Sequence, residues 1–186
     1  MERIGRSAWS KYVIVSVAVA VFLWPAFNSW AAEDGTVYAT IGSVDVLGSG
    51  PHYLDLGFGL VNINRPDYMT GAGKIEVRVG KKLAFVGPAV GIFFTNDGFV
   101  YGYAGIYAEF GYGRFVLTPL IAGGVCHQGN GIDLGGPFEF RESLEIAYRL
   151  DERWRAGVSI AHMSNGRIYE NNPGQNDLLL TIAVGF

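Results

Sequence analysis

The sequence is poor in cysteine, in basic clusters and in long apolar runs, and each shortage excludes a class of protein. Cys126 is the one cysteine among 186 residues, so the chain cannot form an internal disulfide. The 14 Lys and Arg residues are scattered and the net charge is −3, which excludes the basic surface of a nucleic-acid-binding protein. Beyond residue 31 no apolar run approaches about 20 residues, so we expect no membrane-spanning helix.

The first 31 residues have the composition of a secretory signal peptide. A positively charged start precedes an apolar run over residues 12–24, which is short for a transmembrane helix, and Ser29 and Ala31 offer small side chains at the positions that a signal peptidase reads. We therefore predict that residues 1–31 are removed. The remainder, about 155 residues, is long enough for one domain with its own core.

Glycine and aromatic residues are abundant and helix-capping signals are few, which favours an all-β chain. Apolar residues alternate with polar or small ones in eight runs between His52 and Phe186. Residues 138–150 show this alternation most clearly. One face of this run is apolar, with Phe138, Phe140, Leu144, Ile146, Tyr148 and Leu150, and the other carries Glu139, Arg141, Ser143, Glu145 and Arg149.

Acidic and basic side chains share the polar face, and the apolar face persists from strand to strand. This pattern predicts an eight-stranded antiparallel outer-membrane β-barrel over residues 52–186, with apolar residues outside and ion pairs in the lumen. The alternative is a secreted, lipocalin-like barrel with its faces reversed. Because such barrels have an even number of strands, we assign residues 32–51 to an N-terminal lead-in or an extension of the first strand.

The strand over residues 154–164 carries two reactive side chains at its end. His162 and Ser164 share the apolar face with Val158 and Ile160, so they are expected on the outside of the barrel. If the short turns are periplasmic, His162 lies about 20 Å above the inner rim, near the outer leaflet. The pair is then either an interfacial His–Ser pair or a serine hydrolase site with His162 as base and Ser164 as nucleophile.

Two motifs connect this stretch with a known family. His162-x-Ser164-Asn165, followed by Asn172-Pro173-Gly174 and a terminal aromatic strand, resembles the PagL-type lipid A 3-O-deacylases. The resemblance extends over about residues 84–186 and includes Asp133-Leu134-Gly135 and the start of the 138–150 run.

The resemblance implies an eight-stranded barrel in the outer membrane that removes the ester-linked 3-hydroxyacyl chain at position 3 of lipid A, without a metal or other cofactor. By motif position, His162 and Ser164 would be base and nucleophile, Asn172 would hold the oxyanion, and Asn165 would have a supporting role. The implied partner is lipid A in the outer leaflet, met by a monomer or a homodimer.

One position departs from the family pattern. The acid expected four residues after Asn172 is replaced by Asn176, which can orient a histidine but does not stabilise an imidazolium as a carboxylate does. Pairing the strands across a turn centred on Glu152 brings Glu142 opposite His162. We therefore hypothesise that Glu142 supports His162 in place of the family acid.

Two other functions fit the same barrel. The first is a catalytically silent protein that binds lipid or stabilises the envelope, and the second is a phospholipase-type acyl hydrolase. Both retain the outward-facing pair of His162 and Ser164, and they differ in what happens to membrane lipids.

Overall fold

A computed structural model describes residues 36–186, so the predicted signal peptide over residues 1–31 lies outside the described residues. No helix in residues 36–186 is long and apolar enough to cross a membrane. The strands are β1 Val37–Ile41, β2 Val44–Leu47, β3 Tyr53–Val61, β4 Thr70–Arg78, β5 Val86–Thr95, β6 Val100–Ala108, β7 Phe110–Tyr112, β8 Phe115–His127, β9 Phe138–Arg149, β10 Trp154–Ser164 and β11 Gln175–Gly185, with one 3-10 helix at Pro66–Tyr68.

Eight strands form a closed antiparallel barrel, as the alternation predicts. Each of β3, β4, β5, β6, β8, β9, β10 and β11 pairs with two neighbours, and the pairing of β11 with β3 closes the ring. Closure leaves no exposed sheet edge along the barrel wall. Strand β7 continues β6 beyond an irregularity at Glu109, so the two together make one wall strand.

The residues before the barrel form a hairpin. Strands β1 and β2 pair with each other, and β2 also pairs with β7 through Asp45 and Val46. Residues 48–52 separate this hairpin from β3, so it is not an extension of the first barrel strand. Strand β5 begins at Val86, which pairs with Ala108 at the end of β6, so β5 does not reach β7. Strand β2 of the hairpin pairs with this edge of β7 instead.

The barrel has an apolar outside and a charged inside. Large apolar side chains such as Phe58 and Ile160 are 60% and 53% exposed on the outer face. Acidic and basic side chains including Asp55, Glu76 and Arg78 are at most 3% exposed in the lumen. A water-soluble barrel would have the opposite arrangement, which rules out the lipocalin-like alternative.

Arg78 is the centre of the largest ion-pair network in the lumen. Its guanidinium lies 2.5 Å from Asp55, 2.8 Å from Glu76 and 2.8 Å from Glu145. Lys74 reaches the same carboxylates, most closely Asp55 at 3.0 Å. Further lumenal pairs are Arg141–Asp177, Arg155–Glu109 and Lys82–Glu109. Most of the charges that the alternation placed inside therefore pair with one another. Glu139 is the exception in the described residues, since it is buried and neither oxygen of its carboxyl group has a hydrogen-bond partner.

The two ends of the barrel differ in the length of their connections. Short segments at 79–85, 113–114 and 150–153 lie at one end, called here the turn end. Segments 62–69, 96–99, 128–137 and 165–174 lie at the other, called the loop end. In the turn before β10, the backbone N–H groups of Trp154 and Arg153 donate to Asp151 and hold the pKa of its carboxyl below the usual value.

The lumenal network yields a stability prediction. Replacing Arg78 by Met leaves Asp55, Glu76 and Glu145 with Lys74 as their remaining cation, so we expect the free energy of unfolding to fall by about 3–5 kcal/mol. Urea titration in detergent micelles, followed by the heat-modifiable folded band on a denaturing gel, measures this loss. The control Arg153→Met removes the same charge from the exposed turn. An equal unfolding midpoint for both variants would contradict the prediction.

Candidate active site

His162 and Ser164 project from the last residues of β10 on the outer face of the barrel. His162 is exposed and Ser164 is half-buried, and between them Met163 points into the lumen with no exposed surface. Below them on the same face lie Val158 and Ile160, which are 42% and 53% exposed. The pair thus stands above an apolar surface at the loop end.

Three polar side chains form a row across neighbouring strands at the level of His162. Glu142 on β9 lies opposite His162, and Asn176 on β11 lies opposite it on the other side. The register places the three side chains on the same outer face, since directly paired residues share a face. The strand pairing that the sequence predicted between Glu142 and His162 is confirmed, and so is the pairing of Ile146 with Val158.

Asn176 provides the hydrogen bond that orients His162. Its Oδ1 lies 2.8 Å from His162 Nδ1. With Oδ1 as acceptor, the proton of the neutral imidazole resides on Nδ1, and Nε2 keeps a lone pair. Residues 36–186 contain no hydrogen bond or ion pair between Glu142 and His162, and Glu142 is exposed to the surroundings of the barrel.

Ser164 lies two residues after His162 in β10, on the same face of the strand. Alternate residues of a strand are about 6–7 Å apart at their Cα atoms, within reach of a hydrogen bond between Nε2 and Oγ after side-chain rotation. No such bond joins them in the described part of the chain, and catalytic hydrogen bonds are often longer before substrate binds. The arrangement has the components of a base-activated hydroxyl nucleophile.

Asn165 organises the loop that follows β10. Its side-chain nitrogen donates to the carbonyl oxygens of Leu134, at 2.6 Å, and Asn171, at 2.7 Å, and its Oδ1 accepts from the N–H of Arg167. The backbone N–H of Asn165 donates to Asn172 Oδ1 at 3.1 Å. This bond fixes the amide plane of Asn172 and leaves its side-chain NH₂ to donate elsewhere.

Gly174 lies directly against the imidazole. It has φ +62°, and a Cβ at this position would lie 2.8 Å from His162 Cε1 and 3.3 Å from Nε2. A residue with a side chain would therefore be strained in its backbone and would push the ring away. The Asn172-Pro173-Gly174 motif contained this glycine, but its contact with His162 depends on the path of the 165–174 loop.

Arg65 and Asn62 contact the same segment and were not predicted as site residues. Arg65 donates to the carbonyl oxygens of Pro173 and Gly174, and the backbone N–H of Asn62 donates to the carbonyl oxygen of Asn176. These partners are more than 100 residues apart in sequence, so neither alternation nor a local motif indicates them. Within residues 36–186, no three His, Cys, Asp or Glu side chains are grouped so as to hold a metal ion.

One comparison with known proteins concerns the family, and another concerns the fold. A family model described as lipid A 3-O-deacylase (PagL) matches residues 11–184. No curated protein sequence matches the chain. The crystal structure of the outer membrane enzyme PagL is similar at 14% identity, with 72% of this chain and 99% of that chain covered and a TM-score of 0.54. A de novo designed transmembrane β-barrel is 12% identical, with 74% and 97% covered and a TM-score of 0.48.

The contact of Gly174 with His162 yields a prediction about the histidine itself. In Gly174→Ala we expect the hydrogen-bonded Nδ1–H signal of His162 to disappear, because the new methyl group displaces the ring from Asn176. NMR of ¹⁵N-histidine-labelled protein in micelles measures this, and the chain has only three histidines to assign. Gly42→Ala is the matched control, since Gly42 also has φ +62° but has no atom within 4 Å of the added Cβ. An unchanged His162 signal in Gly174→Ala would refute the contact.

Proposed function

The chain belongs to the lipid A 3-O-deacylase (PagL) family, since the family model spans residues 11–184 of its 186 residues, and from this premise we propose how it acts. It is an outer-membrane serine hydrolase that removes the ester-linked 3-hydroxyacyl chain at position 3 of lipid A. The observation that carries this proposal is the His162–Asn176 hydrogen bond, which leaves Nε2 as a base beside Ser164 on the outer face of the barrel.

In the first step, Ser164 Oγ attacks the ester carbonyl carbon while its proton passes to His162 Nε2. The tetrahedral oxyanion accepts a hydrogen bond from the side-chain NH₂ of Asn172, which the bond from Asn165 N–H leaves available. Collapse of this intermediate breaks the bond to the sugar oxygen, and His162 returns the proton to that oxygen. The deacylated lipid leaves, and the acyl chain stays on Ser164.

In the second step, water hydrolyses the acyl-Ser164 ester. His162 Nε2 takes a proton from the water as its oxygen attacks, and the same Asn172 amide stabilises the second oxyanion. His162 then protonates Ser164 Oγ, and the 3-hydroxy fatty acid is released. The cycle consumes one water, and every proton transfer in it involves His162.

Asn176 and Glu142 have different roles toward His162: Asn176 orients the ring, and Glu142 stabilises its charged form. Asn176 fixes the ring and its tautomer through the 2.8 Å hydrogen bond, but it carries no charge. Glu142 lies opposite His162 in the β9–β10 pair, where directly paired Cβ atoms are about 4.5–5.5 Å apart. Its carboxylate supplies the negative charge that favours the imidazolium formed in each step.

The substrate approaches from the outer leaflet of the outer membrane. Val158 and Ile160 continue the outer face below His162, so the acyl chain lies along the barrel wall while its ester reaches Ser164. The signal peptide over residues 1–31 directs export, and residues 52–186 form the membrane domain. The functional unit is a monomer or a homodimer.

Lipid analysis tests the proposed reaction. We expect cells that express the protein to contain lipid A lacking one 3-hydroxyacyl chain, and cells that express Ser164→Ala or His162→Gln to contain unmodified lipid A. Mass spectrometry of extracted lipid A, with the folded band checked on a gel, is the measurement. Unaltered lipid A in cells that express the unchanged protein would instead favour the silent barrel. Release of glycerophospholipid acyl chains would favour the phospholipase-type hydrolase.

A double-mutant cycle tests the separate roles of Asn176 and Glu142. We expect Asn176→Ala and Glu142→Gln each to lower kcat by about 10-fold, since either loss costs about 1.4 kcal/mol of imidazolium stabilisation. Asn176→Asp restores a carboxylate at the hydrogen-bonded position, so kcat should rise and Glu142→Gln should then have little further effect. Initial rates on purified lipid A in micelles give these values. Full activity of Glu142→Gln in the otherwise unchanged protein would refute the role of Glu142.

A further inference from the structure

The loop between β3 and β4 reaches across the barrel wall to the segment that supports His162. Strand β11 lies between β10 and β3, so residues 62–69 flank the site on the side away from Glu142. The N–H of Asn62 donates to the carbonyl oxygen of Asn176 at 2.7 Å. The residue that orients His162 is therefore itself anchored to this loop.

Arg65 makes a two-pronged contact with the same segment. One terminal nitrogen of its guanidinium lies 2.7 Å from the carbonyl oxygen of Gly174, and the other lies 2.7 Å from that of Pro173. Within residues 36–186 Arg65 has no acidic partner, so its charge is directed at these two backbone oxygens. Charge-assisted hydrogen bonds of this kind are stronger than neutral ones, and the planar fork fixes direction as well as distance.

Hydrogen bonds within the loop fix the backbone of Arg65, so its side chain is held in position against Pro173 and Gly174. The N–H of Arg65 donates to the carbonyl oxygen of Asn62 at 2.8 Å, and its own carbonyl accepts from Tyr68 N–H at 2.9 Å. Asn62 is 1% exposed, and its side-chain nitrogen also donates to the Tyr68 carbonyl at 3.2 Å. The 3-10 helix at Pro66–Tyr68 closes this turn, so the backbone of Arg65 is tied on both sides.

We propose that Arg65 is a positioning residue for the deacylation reaction. It holds Pro173 and Gly174 by their carbonyl oxygens, which keeps Gly174 packed against the His162 ring and keeps Asn176 in register for its hydrogen bond. Loss of the guanidinium releases this segment, and the His162 ring then loses its packing against Gly174 and its hydrogen bond with Asn176. The inference rests on the proposed function of His162 and Ser164.

Kinetics of Arg65 variants provide the first test. We expect Arg65→Ala to lower kcat on lipid A in micelles by about 100-fold, the size of effect that follows a misplacement of about 1 Å, with KM changed by less than about 3-fold. Arg65→Lys should recover part of the rate, because an ammonium can still donate to one carbonyl oxygen. The control Arg153→Ala removes one positive charge at the turn end and should retain the full rate.

The NMR signal of His162 provides a second test that does not depend on activity. The hydrogen-bonded Nδ1–H signal should be present in the unchanged protein, in Arg65→Lys and in Arg153→Ala, and absent in Arg65→Ala. A retained signal in a folded Arg65→Ala barrel overturns the inference, as does a raised KM with unchanged kcat, which would assign Arg65 to substrate binding. If Arg65→Ala does not fold, kcat and the His162 signal are measured on Arg65→Lys instead. If both are the same in Arg65→Lys as in the unchanged protein, the role of the guanidinium fork is overturned.

Activity of Ser164→Ala distinguishes failure of this inference from failure of the proposed function. If Ser164→Ala keeps the full deacylation rate, the proposed mechanism is wrong and the kinetic role of Arg65 falls with it, whatever the Arg65 variants show. If Ser164→Ala is inactive while Arg65→Ala keeps both its rate and its His162 signal, the mechanism stands and the inference about Arg65 alone is wrong.

Discussion

Backbone N–H and C=O groups cannot remain unpaired in hydrocarbon, and the pairing of β11 with β3 is the contact that meets this constraint. Once the ring is closed, every wall residue points either to lipid or to the lumen, with no third direction. Most charged residues of the wall point inside, and the largest group of them pairs around Arg78. Polar groups that point outward are then exceptions that need their own explanation, and Glu142, His162, Ser164 and Asn176 are such exceptions, grouped at the loop end.

The same closure makes the site possible with few residues. Three adjacent strands at fixed register bring Glu142, His162 and Asn176 into one row. The loops then add what strands cannot provide. Gly174 allows the chain to pass close to the imidazole, and Asn165 fixes Asn172 through its backbone N–H. The proposed base is thus on the wall of the barrel, and the proposed oxyanion donor is on a loop that Asn165 holds.

The fold was predictable because barrel strands repeat one simple pattern, and the opposition of Glu142 and His162 was predictable because a short turn fixes the register of β9 and β10. Asn176 was found only through its position in a family motif, since the 165–174 loop is too long for its geometry to follow from sequence. Arg65 left no sequence signal at all. Its contacts link segments 108 and 109 residues apart, and only the closed ring brings them together. The pairing of β2 with β7 was not predicted for the same reason, because the two strands are distant in sequence.

A neutral residue at position 176 has a physical logic in this environment. Asn176 is half-buried, and an ionised carboxylate there would lose part of its hydration at a cost of several kcal/mol unless it was fully paired. An amide gives the same 2.8 Å contact with His162 without that cost. Glu142 is exposed on the opposite side of the histidine, where a carboxylate loses less of its hydration. In the proposed mechanism, Asn176 therefore contributes the hydrogen bond that fixes the ring and Glu142 contributes the charge, so a carboxylate at position 176 would combine both contributions in one residue.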